Sequence, residues 1–345
     1  MKRLQKQDFG VLYGAERAFE PASSITALWQ DAEKRAMEQL YASTLGAKEP
    51  ITSDYERFRA LCRLMPCLKG SAVRRHCEDL LADRFQIESP MNEETCDAIW
   101  HATAEALLLS PCSVADVVGD GRRCLLAKES DLDGWDASRI SVVLDANGLP
   151  RLEARDWKEW LACANARIER FGEAGCDRAF FTIPRGYTFE APNLYRVGEV
   201  LLSKRRDATE EYLLITQALR YLCERCREKG WSLYLRAEGA AEETLRLLEY
   251  VSKAVGLPSV CFMTPCPDVR DALLAFGASQ VREESFLPLV CLADHPSEGE
   301  LRRAIEEYAA RFPIGLLQFA CGGDLRNARS EEARLCRVLS EFENQ

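Results

Sequence analysis

The second half of the chain alternates short apolar runs with helical stretches of mixed polarity. The runs fall at residues 178–183, 231–235, 259–263, 286–292 and 314–319, each about the length of a strand buried on both faces. Between them, apolar residues recur at helical spacing. Trp157, Leu161, Ala164, Ile168 and Phe171 form one stripe, Tyr212, Ile215, Leu219, Leu222 and Cys226 a second, and Leu301, Ile305, Tyr308 and Phe312 a third. Gly175, Lys229-Gly230 and Gly256 with Pro258 read as helix stops. Three earlier strands are predicted at 9–13, 124–127 and 140–144, and residues 24–118 read as helical with no strand of their own.

Strand–helix repetition of this kind implies a parallel sheet. The expected fold is α/β, a (β/α)8 TIM barrel with a helical insertion after the first strand; periodicity alone leaves a doubly wound open sheet as the alternative. In domain terms, residues 1–23 and 119–345 form the barrel and 24–118 an inserted helical subdomain. Length agrees: a barrel takes roughly 250 residues, which leaves part of this 345-residue chain for the insertion.

Composition narrows the function classes. Hydrophobic residues make up 47% and charged residues 29%, enough apolar material for a large core. A net charge of −10 argues against a nucleic-acid partner. No run of about 18 apolar residues suits a membrane span, and Met1-Lys2-Arg3-Leu4-Gln5 lacks the apolar core of a signal peptide. Fifteen cysteines, an odd number scattered through regular elements, read as reduced core thiols of a cytoplasmic protein. The pair Cys223 and Cys226 lies inside a helical pattern without a second CxxC, so helix packing is favoured over zinc or redox chemistry.

Several segments, in order along the chain, resemble the uronate (glucuronate) isomerases, a branch of the amidohydrolase-like metal barrels. Tyr55-Glu56-Arg57-Phe58 resembles that family's Arg-Glu-Lys-Phe, Asp83-Arg84-Phe85-Gln86-Ile87 its Arg-Pro-Phe-Gly-Ile, and Asp97-Ala98-Ile99-Trp100 its Asp-Glu-Ile-Trp. Arg167-Ile168-Glu169-Arg170-Phe171 with Gly175-Cys176 resembles its Arg-Ile/Leu-Asp-x-Phe and Gly-Cys, while Pro265-Cys266-Pro267-Asp268 and Ala293-Asp294 echo later strand ends. The resemblance implies a barrel with a helical insertion, and an aldose–ketose interconversion of glucuronate or galacturonate assisted by a divalent metal. In that family the metal is held by a His-x-His after strand one, a His after strand five and an Asp after strand eight. Here those positions fall on Leu12-Tyr13-Gly14, Leu235 and Gly322, and the family's Ser-Asp-His after Gly-Cys falls on Ala179-Phe180-Phe181. The chain has three histidines, His76, His101 and His295, and no two are at His-x-His spacing. Imidazole ligation of zinc is therefore not expected, nor is any other cofactor.

Barrel chemistry sits at the C-terminal ends of strands. Those ends supply His295, Glu238 and Asp324 as catalytic candidates, and Lys128, Glu129, Arg185, Arg236 and Arg326 as candidates for holding a carboxylate or sugar acid. The simpler reading of each is a solvated loop charge, and Asp294-His295-Pro296-Ser297 also reads as a turn into a helix. Gly322-Gly323 could form an anion-binding nest. His76 and His101 read as surface or interface residues of the insertion.

Three functional readings follow. In the first, the chain is a uronate isomerase homologue that has lost catalysis or been repurposed, with a sugar acid or a protein as its partner. In the second it is a working isomerase with a remodelled site, metal-free or built from Glu129, Glu238 and Asp324, a set suited to Mg²⁺ or Mn²⁺. The third, a metal-dependent hydrolase, needs the same missing histidines. No nucleic-acid or membrane partner is expected, and homo-oligomerisation stays open.

Overall fold

A computed structural model describes residues 10–12, 19–28, 41, 51, 53–68, 72–118, 122–126, 128–203, 205–280, 286–295, 297–310, 317–322 and 328–343. In chain order the strands are β1 (Gly10–Leu12), β2 (Arg122–Leu126), β3 (Ile140–Asp145), β4 (Arg178–Ile183), β5 (Ser232–Ala237), β6 (Ser259–Met263), β7 (Phe286–Cys291) and β8 (Gln318–Gly322). The helices are α1 (Asp54–Leu64), α2 (Ala72–Phe85), α3 (Cys96–Leu109), α4 (Val114–Val118), α5 (Trp157–Glu173), α6 (Leu194–Leu202), α7 (Ala208–Lys229), α8 (Ala241–Ala254), α9 (Pro267–Gln280), α10 (Glu298–Ala309) and α11 (Ala328–Glu343). Between β1 and β2 the described residues contain helices and no strand.

All strands pair in parallel, in the order β1-β8-β7-β6-β5-β4-β3-β2. From β3 onward, successive strands are neighbours joined through helices, as short parallel strands require. The predicted strands 178–183 and 259–263 match β4 and β6. The fifth runs on past the apolar stretch through Arg236 and Ala237, and the described part of the last lies later than expected, reaching Gly322.

Period-two alternation divides each strand between two faces. Leu125, Val143, Phe180, Tyr234, Cys261, Met263, Leu289, Cys291 and Ala320 share one packed cluster, so one face of every strand from β2 to β8 meets there. The alternate residues Leu144, Phe181, Leu235, Val260 and Phe262 are buried on the other side of their strands, the side a helix layer covers in an α/β fold. At the strand starts Arg178 donates to the Tyr234 hydroxyl at 2.7 Å and lies over its ring.

The helices are well bounded. Asp156 caps α5, Asp207 with Glu210 forms a capping box on α7, and Ser297 with Glu300 does the same on α10. Gly230 ends α7 at φ 68° and Gly256 follows α8 at φ 75°, the left-handed region in which a Cβ is strained. On α5 the buried stripe is Trp160, Ala164, Ile168 and Phe171; Trp157 and Leu161, expected inside, are half-buried. Two tryptophans three residues apart satisfy helical spacing equally well, and here Trp160 is the one in the core.

The chain divides into two compact units. One comprises Met1–Gly14, Arg122–Asp133 and Ile140–Gly322 and contains the sheet; the other comprises Ala15–Gly121, Gly134–Arg139 and Gly323–Gln345. In the second, Trp100 packs on Tyr55 and Phe58, and Arg139 pairs with Asp116 at 3.1 Å.

Candidate functional site

The C-terminal ends of β5 and β7 bring three charged side chains together. Tyr234 faces the sheet's packed cluster, so alternation puts Arg236, two residues on, over the same face at the strand's end. Arg236 Nε donates to Glu238 Oε1 at 2.7 Å, while its two terminal nitrogens donate to Asp294 Oδ1 and Oδ2 at 3.2 and 3.3 Å. The side chains of Arg236 and Asp294 are 24% and 17% exposed. Burial alone would depress the guanidinium; the hydrogen bond it donates to Glu238 and the charge and acceptor oxygens of Asp294 outweigh it and hold the group above its ordinary value. Backbone pairing fixes the geometry, because the Glu238 amide donates to Ile183 O at 2.9 Å.

A second polar chain crosses from β3 to β4. Asp145 ends β3 and its carboxylate accepts from the Asn147 amide at 3.0 Å, while Asn147 Oδ1 accepts from the Thr182 amide at 2.8 Å. Burial pushes the Asp145 carboxyl above the usual carboxylate range, opposed by the bonds from Asn147 and the charge of Arg167.

The sequence candidates are therefore scattered between different roles. Arg236 and Glu238 meet. His295 is half-buried, next in the chain to Asp294, with its amide bonded to Leu292 O at 3.1 Å. Glu129 is exposed and pairs with Arg167 at 3.3 Å, Lys128 is exposed beside it, and Arg185 is exposed in the turn after β4. Asp324 and Arg326, with Gly323 of the Gly322-Gly323 pair, lie outside the described residues, as does the His76 side chain; His101 is exposed on α3. Asp294 went unassigned in the sequence, although an acidic residue directly after an apolar strand and before His295 was a usable signal. Leu235, aligned with the family's strand-five histidine, alternates away from the packed cluster, and the residue that faces it is Arg236.

Residues that carried the resemblance do packing work. In α5, Arg167 reaches Glu129, Arg170 reaches Asp133, and Glu169 accepts from Arg225 and Lys229 of α7, while Ile168 and Phe171 are fully buried. Cys223 and Cys226 are buried in α7, where desolvation raises both thiols, Cys226 to about 12. No group of three or more His, Cys, Asp or Glu among the described residues is arranged to hold a metal ion. No helix among them is long and apolar enough to cross a membrane.

No protein-family model matches the chain, and no curated protein sequence does. Solved structures do. A uronate isomerase from Thermotoga maritima superposes with a TM-score of 0.74 at 13% identity, over 98% of this chain and 88% of that one. A glucuronate isomerase from Caulobacter crescentus gives 0.68 at 12% identity, over 98% and 86%. At such identities the likeness shows the fold: a distant, uronate-isomerase-like α/β architecture.

Proposed function

We propose that this chain is a uronate isomerase homologue that no longer performs metal-dependent isomerisation and serves instead as a sugar-acid- or partner-binding barrel. In this reading the sheet closes into a (β/α)8 barrel, which the approach of the β1 and β2 backbones supports, and residues 24–118 form a helical insertion.

One observation carries the functional part: at the end of β5 the side chain on the packed face is the guanidinium of Arg236, and the aligned Leu235 offers no ligand atom. A divalent ion needs carboxylate oxygens or neutral imidazoles with lone pairs to give. Here Glu238 Oε1 and both Asp294 oxygens already accept from Arg236, and Leu12 and Gly14 carry no ligand atoms. The residues present do not fit a metal. Nor does Arg236 suit a uronate: one guanidinium against two carboxylates leaves the cluster formally negative, so a substrate carboxylate must displace Asp294. Arg185, which makes no ion pair among the described residues, is the better-placed arginine for a sugar acid.

A coupled assay for ketose formation from glucuronate and galacturonate, with and without added Mg²⁺, Mn²⁺ or Zn²⁺, tests this. The expected result is no turnover above background, since each 1.36 kcal/mol of lost transition-state stabilisation costs about tenfold in rate. Turnover that disappears in Glu238→Ala or His295→Ala would establish a remodelled active site instead. Metal analysis of the purified protein is expected to find no stoichiometric transition metal.

A further inference from the structure

A cavity of about 230 Å³ lies beside the C-terminal end of β4, between the short helical turn Ala146–Arg151 after β3 and the first half of α7. Phe181, Leu214 and Ile215, with Pro150 and Pro184, give it apolar walls. Phe181 alternates away from the packed cluster that Phe180 joins, so the cavity lies on the helix side of the sheet. Its frame is held in place. Asn147, also in the wall, accepts from the Thr182 amide at 2.8 Å, and its own amide donates to Asp145 at 3.0 Å.

Charge decides what enters. Arg151, Arg206 and Glu211 line the cavity, one positive charge in excess on a chain of net charge −10. Arg206 is half-buried, and its Nε and one terminal nitrogen donate to the Val200 and Leu201 carbonyls, near the end of α6, at 3.2 and 3.4 Å. Those neutral acceptors fix the guanidinium without cancelling its charge. Arg167, Arg225, Arg236 and Arg270 are half-buried as well, and each faces a carboxylate. Arg206 and Arg151 make no ion pair among the described residues. An anchored guanidinium with a terminal nitrogen to spare suits a carboxylate, and one excess charge matches one carboxylate. The walls set the rest of the ligand. Five apolar residues offer no side-chain hydrogen-bond partner, so a body rich in hydroxyls would be left unpaired, whereas a ring or branched chain gains from burial there. The volume is below the roughly 300–1,000 Å³ of drug-sized sites, which limits that body to about one ring.

We propose that this cavity binds a small apolar monocarboxylate, its carboxylate on Arg206 and Arg151 and its body against Phe181, Leu214 and Ile215. The proposal goes beyond the proposed function, because it uses none of the strand-end cluster and a ligand without sugar hydroxyls.

Isothermal titration of the intact protein with phenylacetate and with isovalerate tests it, the pair separating an aromatic from a branched aliphatic body. The expected result is one-to-one binding of at least one acid with a Kd of roughly 0.1–1 mM. Phenylacetamide, the neutral isostere, and glucuronate each bind the cavity at least about tenfold more weakly. Arg206→Gln weakens the acid about tenfold, the exposed Arg151→Gln about threefold, and Glu211→Gln strengthens it about twofold. Bound acid also slows deuterium exchange of the Thr182 amide, because it covers the turn that carries Asn147. Should Arg206→Gln fail to fold, Arg151→Gln and the amide comparison decide. No saturable binding of either acid up to about 10 mM, equal binding of the amide, or an affinity unchanged in the arginine variants overturns the proposal. So does displacement of the acid by glucuronate at equal concentration. Glucuronate bound alongside the acid, without displacing it, upholds the proposal.

Discussion

The strand ends and the helical flank handle buried polar groups in opposite ways. At the ends of β5 and β7, Arg236 faces two carboxylates and each of its three nitrogens has a partner within the cluster. On the helical flank, Gln217 Oε1 and Arg220 Nε of α7 are buried, and nothing in the described chain satisfies them. Where barrel chemistry would be sought, polar demand is met internally; on the helical flank two buried atoms carry an unmet demand.

That contrast can be broken in order of expected effect. Arg236→Leu leaves Asp294 and Glu238 facing one another without a cation and should lower unfolding stability by roughly 2–3 kcal/mol, less than a fully buried pair because all three groups touch solvent. A loss below about 0.5 kcal/mol in urea titration would make the cluster an ordinary solvated pair. Gln217→Met should act in the opposite sense, raising stability by about 1 kcal/mol by removing a buried acceptor that has no donor. Loss of stability there would mean that Oε1 is satisfied after all. Glu238→Gln should cost only about 0.5 kcal/mol, since the two-pronged contact of Arg236 with Asp294 survives.

The smallest effect concerns Asp145 and depends on pH. Its carboxyl is raised by burial in the folded chain, so ionisation favours unfolding. That penalty is absent below the unfolded value, grows as pH rises through the window between the ordinary and the raised value, and stays constant above it. Asp145→Asn keeps an acceptor for the Asn147 amide, so it should match wild type in acid and be slightly more stable near neutrality. Urea midpoints measured across about pH 3–7 would show the two curves separating upward; parallel curves would refute the assignment.

Much of the architecture was legible because it rests on local pattern. Apolar runs bounded by glycine and proline gave β4 and β6 to the residue, and Gly230 and Gly256 ended helices where expected. The strand ends were harder to read. Arg236 and Asp294 are 58 positions apart, and no periodicity records which charged loop residue another will meet. The apolar criterion also stopped β5 at Leu235, one residue short of the arginine that matters. Gln217 was invisible for a different reason: a glutamine within a helix reads as solvent-facing until the breadth of the α7 contact surface is known.

The bridge from Asn147 to Thr182 makes one backbone proton unusual. The Thr182 amide is held by a side chain of the turn after β3 at 2.8 Å, so its exchange with solvent deuterium requires that turn to lift away from β4. Its protection factor is therefore a direct gauge of how often the β3–β4 corner opens, separable from global unfolding by comparison with amides deeper in the same strand.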